Sequence, residues 1–389
     1  MLKLTLKQRE ENRILAGDPW IFSNEVKNFE GEFKSGEVCE VYTSNNLFLC
    51  KGFFNAASKI MVRVLSMNKD EIINKEFFEK RISYAISMRK DLGLMESTRL
   101  VFSEADELPG LIVDKYGDYL SVQFLSLGMD KIKEDIVNIL VELISPSGIY
   151  ERSDVPVRRK EGLELKKGFL YGGPFDTKIV MVENDIKIRV DIENGQKTGY
   201  FLDQKLNRDN VKLYSKGKNV LDCFSHTGGF ALNASKAGAL SVTALDISKK
   251  AVEDIDYNAK INGFSNIKTV CVDVFDYLRD ETNKNKFDTI ILDPPAFTKS
   301  KETVKHAYKG YKEINLQAIK MIKTGGYLLT FSCSQHMTPE LFFNMLNEAV
   351  VDSGRTAQML EFKIQSPDHP TLLATNSSLY LKCVILRIN

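Results

Sequence analysis

The fold of this chain is decided by the stretch Asn219-Val-Leu-Asp-Cys-Phe-Ser-His-Thr-Gly-Gly-Phe230 and by Ser241-Val-Thr-Ala-Leu-Asp246, which follows it. Both segments read as apolar strands that end in an acidic residue, and a turn and a helix over 230–237 connect them. A βαβ unit of this kind binds ligands at the carboxyl ends of its strands. Gly228 and Gly229 allow the backbone of the turn to approach a ligand closely. We therefore expect a cofactor site at this turn.

The turn lacks the G-x-G-x-x-G fingerprint of dinucleotide-binding folds, because Asp222 and Ser225 stand where that fingerprint has glycines. An acid near the turn repels a pyrophosphate and suits a cationic ligand that carries an amine, such as S-adenosylmethionine. Asp246, just past the second strand, can accept hydrogen bonds from ribose hydroxyls. An ordinary strand-to-helix turn is the alternative for this stretch taken alone.

Strands and helices alternate through the C-terminal half of the chain, which predicts a doubly wound, mostly parallel sheet of the α/β class. The intervening helices include 249–262 and 311–322, and Thr338-Pro339 announces a further one as an N-cap followed by proline. Two C-terminal strands over 360–364 and 380–386 close the sheet. The preceding strands are predicted at 220–221, 242–245, 268–272, 289–292 and 327–331.

Four consecutive strands are followed by acids that would converge on one crevice, which predicts a cofactor site rather than four unrelated turns. These acids are Asp222, Asp246, Asp273 and Asp293. The last one opens the loop Asp293-Pro-Pro-Ala-Phe297, in which two prolines restrict the backbone. Such a stiff loop can hold a carboxylate and an aromatic ring against a flat base, although a plain turn would have the same sequence.

The fifth strand ends in Phe331-Ser-Cys-Ser334. A lone cysteine is most often a small buried hydrophobic residue. At the end of strand five, however, Cys333 would lie beside the end of strand four and its Asp-Pro-Pro loop. A thiolate there can add to C6 of a pyrimidine, which makes C5 nucleophilic enough to take a methyl group from a sulfonium. Loss of the C5 proton and elimination of the thiol then restore the ring.

The N-terminal residues 1–66 alternate polar with apolar residues in short strands, which predicts a small antiparallel barrel. Basic residues and the only tryptophan lie on it, and they either bind RNA or form a solvated face over a core tryptophan. A helix over 70–92 leads into an α+β unit over 98–178 that is built around a helix at 129–144. The basic and aromatic residues of the barrel are Lys3, Lys7, Arg9, Arg13 and Trp20.

Charge is nearly balanced, because 53 Lys and Arg face 52 Asp and Glu for a net charge of +1. Any nucleic-acid contact must therefore come from local patches. The densest basic run is either such a patch or a solvated face. It consists of Arg152, Arg158, Arg159, Lys160, Lys166 and Lys167.

The chain has 389 residues, which predicts two or three domains. The six cysteines are scattered without C-x-x-C spacing, so free thiols in a reducing compartment are expected and a metal site is not. No apolar run reaches the length of a membrane span, and the first residues lack the apolar core of a signal peptide. We expect a cytoplasmic protein that binds neither a metal nor a membrane.

Several stretches together form a specific combination, although each is weak alone. They are Gly195-Gln-Lys-Thr-Gly-Tyr-Phe-Leu-Asp-Gln204, the stretch 222–230, Asp293-Pro-Pro-Ala-Phe297, Gly310-Tyr-Lys-Glu-Ile-Asn315, Leu329-Thr-Phe-Ser-Cys-Ser334 and Asp368-His-Pro370. With them the chain resembles the bacterial large-subunit (23S) rRNA cytosine-5 methyltransferases that carry an N-terminal PUA domain. The resemblance implies a PUA-like RNA-binding barrel at 1–66, a central α+β domain at 67–185 and a Rossmann-like class I methyltransferase domain at 186–389. It leaves a homodimer open.

The resemblance also implies roles for single residues. S-adenosylmethionine would be bound by Asp203, Asp222, Phe224, Ser225, Thr227, Gly228 and Asp246, with Asp273 at the adenine. Asp293 would hold the polar edge of a cytosine in large-subunit rRNA, Pro294 and Phe297 would contact this substrate, and Cys333 would be the nucleophile. Ala296 departs from the lysine that the family often has there, and the glycine usual after the cysteine is absent. The Pro-Pro loop has no second cysteine, so the group that removes the C5 proton is unassigned.

Other functions fit parts of the pattern. Asp-Pro-Pro with an aromatic residue also suits N-methylation of an exocyclic amine or ring nitrogen of an rRNA base, which needs no thiol. A different class is an RNA-binding or ribosome-assembly factor that keeps a vestigial cofactor fold. A dehydrogenase is disfavoured by the missing glycine fingerprint.

Overall fold

The computed structural model describes residues 2–32, 34–298, 300–375 and 378–389. Its contacts divide the chain into two units, and both are discontinuous in sequence. The first unit contains Met1–Ile179, Val190–Leu202 and Pro367–Ser378, and the second contains Val180–Arg189, Asp203–Ser366 and Leu379–Asn389.

The first unit begins with a six-stranded sheet in the order β2-β6-β5-β4-β1-β3. Alternate residues of β4 are buried, as the period-two pattern predicts, whereas β5 is buried along almost its whole length. One pair, β1 with β4, is parallel, so the expectation of an antiparallel barrel is wrong for this pair. After the two intervening strands the chain runs again in the direction of β1. The elements are β1 (Lys3–Leu6), α1 (Glu11–Leu15), β2 (Trp20–Phe22), β3 (Val26–Glu30), β4 (Val38–Tyr42), β5 (Phe48–Phe54) and β6 (Ile60–Ser66).

A five-stranded sheet in the order β11-β10-β9-β8-β7 follows in the same unit. The predicted helix over 70–92 starts later, because the Asn74 side chain caps it by accepting from the Phe77 N–H at 3.1 Å. The predicted helix over 129–144 is two helices that meet at Ile132. The elements are α2 (Lys75–Asp91), β7 (Ser97–Phe102), β8 (Leu111–Tyr116), β9 (Tyr119–Phe124), α3 (Leu127–Lys131), α4 (Lys133–Ile144), β10 (Gly148–Ser153) and β11 (Lys166–Tyr171).

Two members of the basic run are structural and do not belong to an RNA-binding surface. The Arg158 side chain is fully buried and donates to the Glu164 carbonyl at 2.7 Å and to Asp130 at 2.9 Å. Arg152 is also buried and donates to carbonyls that include that of Gly195, at 3.1 Å. The RNA interpretation of this run is therefore wrong for these two arginines. The other four members, Arg159, Lys160, Lys166 and Lys167, are exposed.

The N-terminal tryptophan also makes internal contacts. The Trp20 indole N–H donates to the Glu104 carboxylate at 2.9 Å, and Arg63 donates to the same oxygen at 2.6 Å. The ring is half-buried. These bonds account for the position of the tryptophan without RNA.

A hairpin of β12 (Lys178–Glu183) and β13 (Ile186–Asp191) lies in the sequence between the five-stranded sheet and a seven-stranded one. The larger sheet has the order β16-β15-β14-β17-β18-β20-β19. The remaining elements are α5 (Lys205–Asn210), α6 (Lys212–Ser215), β14 (Asn219–Cys223), α7 (Gly229–Lys236), β15 (Ser241–Asp246), α8 (Lys249–Ile261), β16 (Ile267–Cys271), α9 (Val274–Arg279), β17 (Thr289–Leu292), α10 (Val304–Met321), β18 (Gly326–Ser332), α11 (Pro339–Asp352), β19 (Ala357–Lys363) and β20 (Lys382–Ile388).

The first five strands of this sheet pair in parallel, whereas β20 is antiparallel to both of its neighbours. Successive residues of β14 belong to different core clusters: Leu221 lies in the cluster that contains Phe342 of α11, and Val220 lies in the cluster that contains Phe230 of α7. Both faces are therefore covered by helices, and the predicted doubly wound sheet is confirmed. Thr338 caps α11 as expected, accepting from the Leu341 N–H at 3.3 Å.

The strand order reverses between β14 and β17, since β15 and β16 lie on one side of this pair and β18 on the other. In doubly wound sheets the ligand crevice lies outside the carboxyl ends of the strands at this switch point. The loops after β14, β15, β17 and β18 therefore surround the candidate site. In the part of the chain that the structure describes, no helix combines the length and the apolar character needed to cross a membrane.

Candidate active site

The loop after β14 has an unusual backbone. Phe224 and His226 have left-handed φ angles of 63° and 53°, and Gly228 has a φ of 87°. Left-handed conformations cost non-glycine residues of the order of 1 kcal/mol each and persist only where surrounding contacts enforce them. Here the Ser225 N–H donates to the Leu245 carbonyl at 2.9 Å. A Cβ atom on Gly228 would lie 3.1 Å from Ile255, a tight contact that adds to the preference for glycine at this φ.

Asp222 is a strongly perturbed acid of the site. Its side chain is fully buried, and its Oδ2 accepts from the Ala231 N–H of α7 at 3.0 Å. Among the described residues, Oδ1 has no hydrogen-bond partner. Burial, helped by the negative charges of Asp293 and Asp246, raises the pKa of Asp222 to about 8. A buried carboxylate oxygen without a donor fits the ammonium group of a ligand, which would supply both a donor and a compensating charge.

Asp246, the last residue of β15, holds two adjacent turns. One carboxylate oxygen accepts from the His226 N–H at 2.9 Å, and the other accepts from the Ser248 N–H at 2.9 Å. A carboxylate oxygen can accept more than one bond, so capacity for a ribose hydroxyl remains. Asp273, two residues after β16, caps α9 by accepting from the Phe275 N–H at 2.7 Å. Both acids are half-buried at the same edge of the sheet.

The other residues predicted to bind the cofactor stabilise the loop after β14 through hydrogen bonds and packing. The Ser225 hydroxyl donates to the Asp222 carbonyl at 2.8 Å, and the Thr227 carbonyl accepts from the Asn258 amide at 3.0 Å. Phe224 is half-buried and packs against the core under the sheet. The structure thus brings Asp222, near the end of β14, and Phe224, Ser225, Thr227 and Gly228, on the loop that follows, together beside Asp246.

Asp203 and Gln204 approach the site from the segment before α5. The Asp203 carboxylate accepts from the Tyr380 hydroxyl at 2.6 Å, and its cofactor role stays a prediction. Gln204 donates to Asp293 Oδ1 at 3.1 Å, while Asn207 donates to the Gln204 side-chain carbonyl at 2.8 Å. Sequence reasoning did not single out Gln204, although it is the last residue of the quoted Gly195–Gln204 motif. It orients the carboxylate that opens the Pro-Pro loop.

The Pro-Pro loop is held against α10. Its Phe297 ring packs at 4.6 Å from the Tyr311 ring, and a Cβ atom on Gly310 would lie 3.3 Å from Phe297. Pro294 is buried, whereas Asp293 is half-buried. The loop is therefore stiffened both by its prolines and by its packing.

Cys333 follows β18, which is the parallel neighbour of β17: Leu292 pairs with Thr330. The Ser334 hydroxyl donates to the Thr298 carbonyl at 2.9 Å and so joins the turn after β18 to the loop after β17. Burial raises the pKa of Tyr311 to about 12, and the charges of both Cys333 and Asp293 act in the same direction. The thiol and the carboxylate thus both lie close enough to this buried tyrosine to affect its ionisation.

The sheet order, the buried Asp222 that suits an ammonium group and the neighbouring Asp246 that can accept from a ribose are together typical of a class I S-adenosylmethionine-dependent methyltransferase. A family model described as S-adenosylmethionine-dependent methyltransferase matches residues 160–387, which is more than half of the chain. A second model, described as PUA-like domain, matches residues 4–67. The chain belongs to this methyltransferase family, and the predictions of its fold class and of its cofactor, S-adenosylmethionine, are confirmed.

Curated relatives narrow the family further. The chain is 42% identical to a protein of Aliivibrio fischeri over 393 residues, covering 100% of this chain and 99% of the relative. It is 41% identical to a protein of Aeromonas salmonicida, with 98% of both chains covered. Both relatives carry the name ribosomal RNA large subunit methyltransferase I. The chain is therefore a member of the family that contains these proteins.

Solved structures share the fold along the whole chain. A Streptococcus mutans protein assigned to the SAM-dependent methyltransferases superposes with a TM-score of 0.82 at 24% identity, and 100% of both chains is covered. A methyltransferase solved with SAH gives a TM-score of 0.84, also at 24% identity and with full coverage. At this identity the likeness concerns the fold alone. Within the described residues, no cluster of three or more His, Cys, Asp or Glu could hold a metal ion.

Cofactor binding should depend on pH through Asp222. Because the pKa of Asp222 is raised to about 8, the carboxyl group is protonated below that pH and must ionise to pair with the ligand ammonium group. We expect the Kd for S-adenosylmethionine to fall roughly tenfold per unit between about pH 6 and 8, with release of one proton. Above about pH 8 the ligand amine itself deprotonates and the gain ends.

Calorimetry in two buffers of different ionisation enthalpy measures both the Kd and the released proton. The matched control is Asp222→Asn, which keeps an acceptor for the Ala231 N–H but cannot ionise. It should bind more weakly and without pH dependence in this range. A flat Kd and no proton release in the wild-type protein would contradict the assignment.

Proposed function

We propose that this protein methylates C5 of a cytosine in large-subunit rRNA, with Cys333 as the nucleophile. The relatives that cover the whole chain are named ribosomal RNA large subunit methyltransferase I, and the N-terminal match to a PUA-like domain supports an RNA substrate. The observation that supports this chemistry is the proximity of two motifs. Cys333 follows β18, the neighbour of the strand that precedes Asp293, and the Ser334 hydroxyl donates to the Thr298 carbonyl of the Asp293 loop.

S-adenosylmethionine supplies the methyl group on its sulfonium. Asp222 would hold the amino group of this cofactor, and the loop residues Phe224, Ser225, Thr227 and Gly228 would enclose its methionine part. Asp246 would accept from the ribose hydroxyls, while Asp273 would lie at the adenine. Asp203 would support this side of the site.

The target base would lie between the two motif loops. Asp293, oriented by Gln204, would accept a hydrogen bond from the N4 amino group of the cytosine. Pro294 and Phe297 would contact the base. The Cys333 thiolate would form a bond to C6, so that the electron pair of the C5–C6 double bond becomes available at C5 for the methyl group. After C5 loses its proton, the electron pair reforms the double bond and the thiolate leaves.

We also propose three functional domains along the sequence. Residues 1–66 form the RNA-binding barrel and end with β6, residues 67–185 form the central domain, and residues 186–389 form the methyltransferase domain. The separate six-, five- and seven-stranded sheets support the division into three, and the boundary at 185/186 falls in the turn of the β12–β13 hairpin.

The product identifies the reaction. Purified protein, labelled S-adenosylmethionine and large-subunit rRNA transcribed without modifications should yield 5-methylcytosine as the labelled nucleoside in mass spectrometry. RNA that carries tritium at C5 of cytosine should release one tritium for each methyl group transferred. An N-methylated base without tritium release would replace this proposal with the N-methylation alternative. Cofactor binding without any transfer would favour an RNA-binding factor.

A further inference from the structure

Lys382 is a buried lysine at the start of β20. Its backbone pairs with Ser332, the last residue of β18, and the residue is only 1% exposed. Its Nζ donates to the Ser334 carbonyl at 2.5 Å and to the Tyr380 carbonyl at 2.8 Å. Among the described residues, no carboxylate lies within ion-pair distance of this ammonium group. Burying a cation costs several kcal/mol unless a negative charge is close. We therefore expect an anionic group near the Lys382 ammonium group.

The group that can provide this charge is the thiol of Cys333. Burial lowers the pKa of Lys382 to about 8, and the charge of Cys333 acts in the opposite direction. Acidic groups also lie near the thiol. Asp293 lies after β17 and Tyr311 on α10, while Asp203 binds the hydroxyl of Tyr380, next to the lysine. Lys382 is thus a cation in a cluster whose acidic members disfavour a thiolate.

We propose that Lys382 is a positioning residue for methyl transfer: it fixes the turn that carries Cys333 through the Ser334 and Tyr380 carbonyls, and its ammonium group stabilises the thiolate. This inference rests on the proposed nucleophilic role of Cys333. A cation beside a cysteine brings the thiol pKa down toward neutral pH, which produces the reactive form without a separate base. The ammonium group is charged below about pH 8, and the thiol is ionised above its lowered pKa. The lysine therefore stabilises the thiolate in the pH range between these two values.

The reactivity of the thiol without substrate tests the inference. In a Cys271→Ser background, Cys333 is the one cysteine among the remaining five that is not buried. Its alkylation by iodoacetamide, followed at the Cys333 peptide by mass spectrometry across about pH 5.5 to 10, gives the midpoint of the thiol titration. We expect the midpoint to lie below the ordinary cysteine value of about 8.5. Lys382→Met should raise it by one unit or more, which is about tenfold slower alkylation at pH 7.

Lys382→Arg is the matched control, because it keeps the positive charge and should keep a low midpoint. Equal midpoints in the parent protein and in Lys382→Met would overturn the inference. If Lys382→Met does not fold, as judged by its thermal transition and cofactor binding, the wild-type midpoint alone decides: a value at or above that of an ordinary cysteine refutes the role. The test is separate from the proposed function, because a Cys333→Ala protein that still formed 5-methylcytosine would refute the nucleophile while leaving the alkylation result in place.

Discussion

Cys333→Ala should lose methyl transfer to large-subunit rRNA by at least about 1,000-fold, while its Kd for S-adenosylmethionine stays within about twofold of the wild type. The loss is large because C5 of a cytosine is a poor nucleophile until a group adds to C6. Cofactor binding should persist because Asp222 lies near the end of β14, two strands away from β18 and the turn that carries Cys333.

Two assays separate these effects. Labelled methyl incorporation measures the transfer, and calorimetry measures the Kd. RNA containing 5-fluorocytosine should trap the wild-type protein as a covalent complex that survives denaturing electrophoresis, because fluorine replaces the proton that must leave C5. Cys333→Ala should form no such complex.

Cys271→Ala is the matched control for thiol loss, since Cys271 is exposed on another strand. It should keep both transfer and trapping. A Cys333→Ala protein that retained more than a tenth of the wild-type rate would exclude the covalent mechanism, and Cys333 would then be a packing residue.

The sequence predicted those features of the site that depend on neighbours along the chain. The alternation of strands and helices predicted the doubly wound sheet, and it is confirmed. The same pattern located acids at the ends of consecutive strands, and the structure brings Asp222, Asp246, Asp273 and Asp293 to one edge of four adjacent strands. This prediction needed only the rule that carboxyl ends of parallel strands lie on the same side.

The contacts that join the two motif loops could not be predicted in this way. Gln204 reaches Asp293 and Lys382 reaches the Ser334 carbonyl across long stretches of sequence, and both contacts depend on how distant elements pack. Lys382 lies in an apolar strand, where its charge would predict an exposed position at the strand edge. The backbone carbonyls that accept its hydrogen bonds cannot be identified from the sequence. The burial of Arg152 and Arg158 could not be predicted for the same reason, because a run of basic residues does not indicate which of them donate to buried acceptors.

Asp293→Asn should act on the two substrates in opposite directions. The carboxylate accepts from Gln204 on one side and would accept from the cytosine amino group on the other. An asparagine whose oxygen keeps the Gln204 bond would turn an amide N–H toward the cytosine amino group, so two donors would face each other. We expect kcat/KM for rRNA to fall by at least about 100-fold, because an unpaired buried donor costs about 1–3 kcal/mol on each side.

The cofactor should be bound at least as well by the same variant. The negative charge of Asp293 contributes to the raised pKa of Asp222, so its removal lowers that pKa and ionises Asp222 at lower pH. The pH midpoint of S-adenosylmethionine binding should therefore move down while rRNA turnover is lost. Asp276→Asn, at an exposed position on α9, is the matched control and should change neither quantity. A parallel loss of cofactor affinity and turnover would instead indicate that Asp293 maintains the local fold, since a collapsed crevice weakens both substrates together.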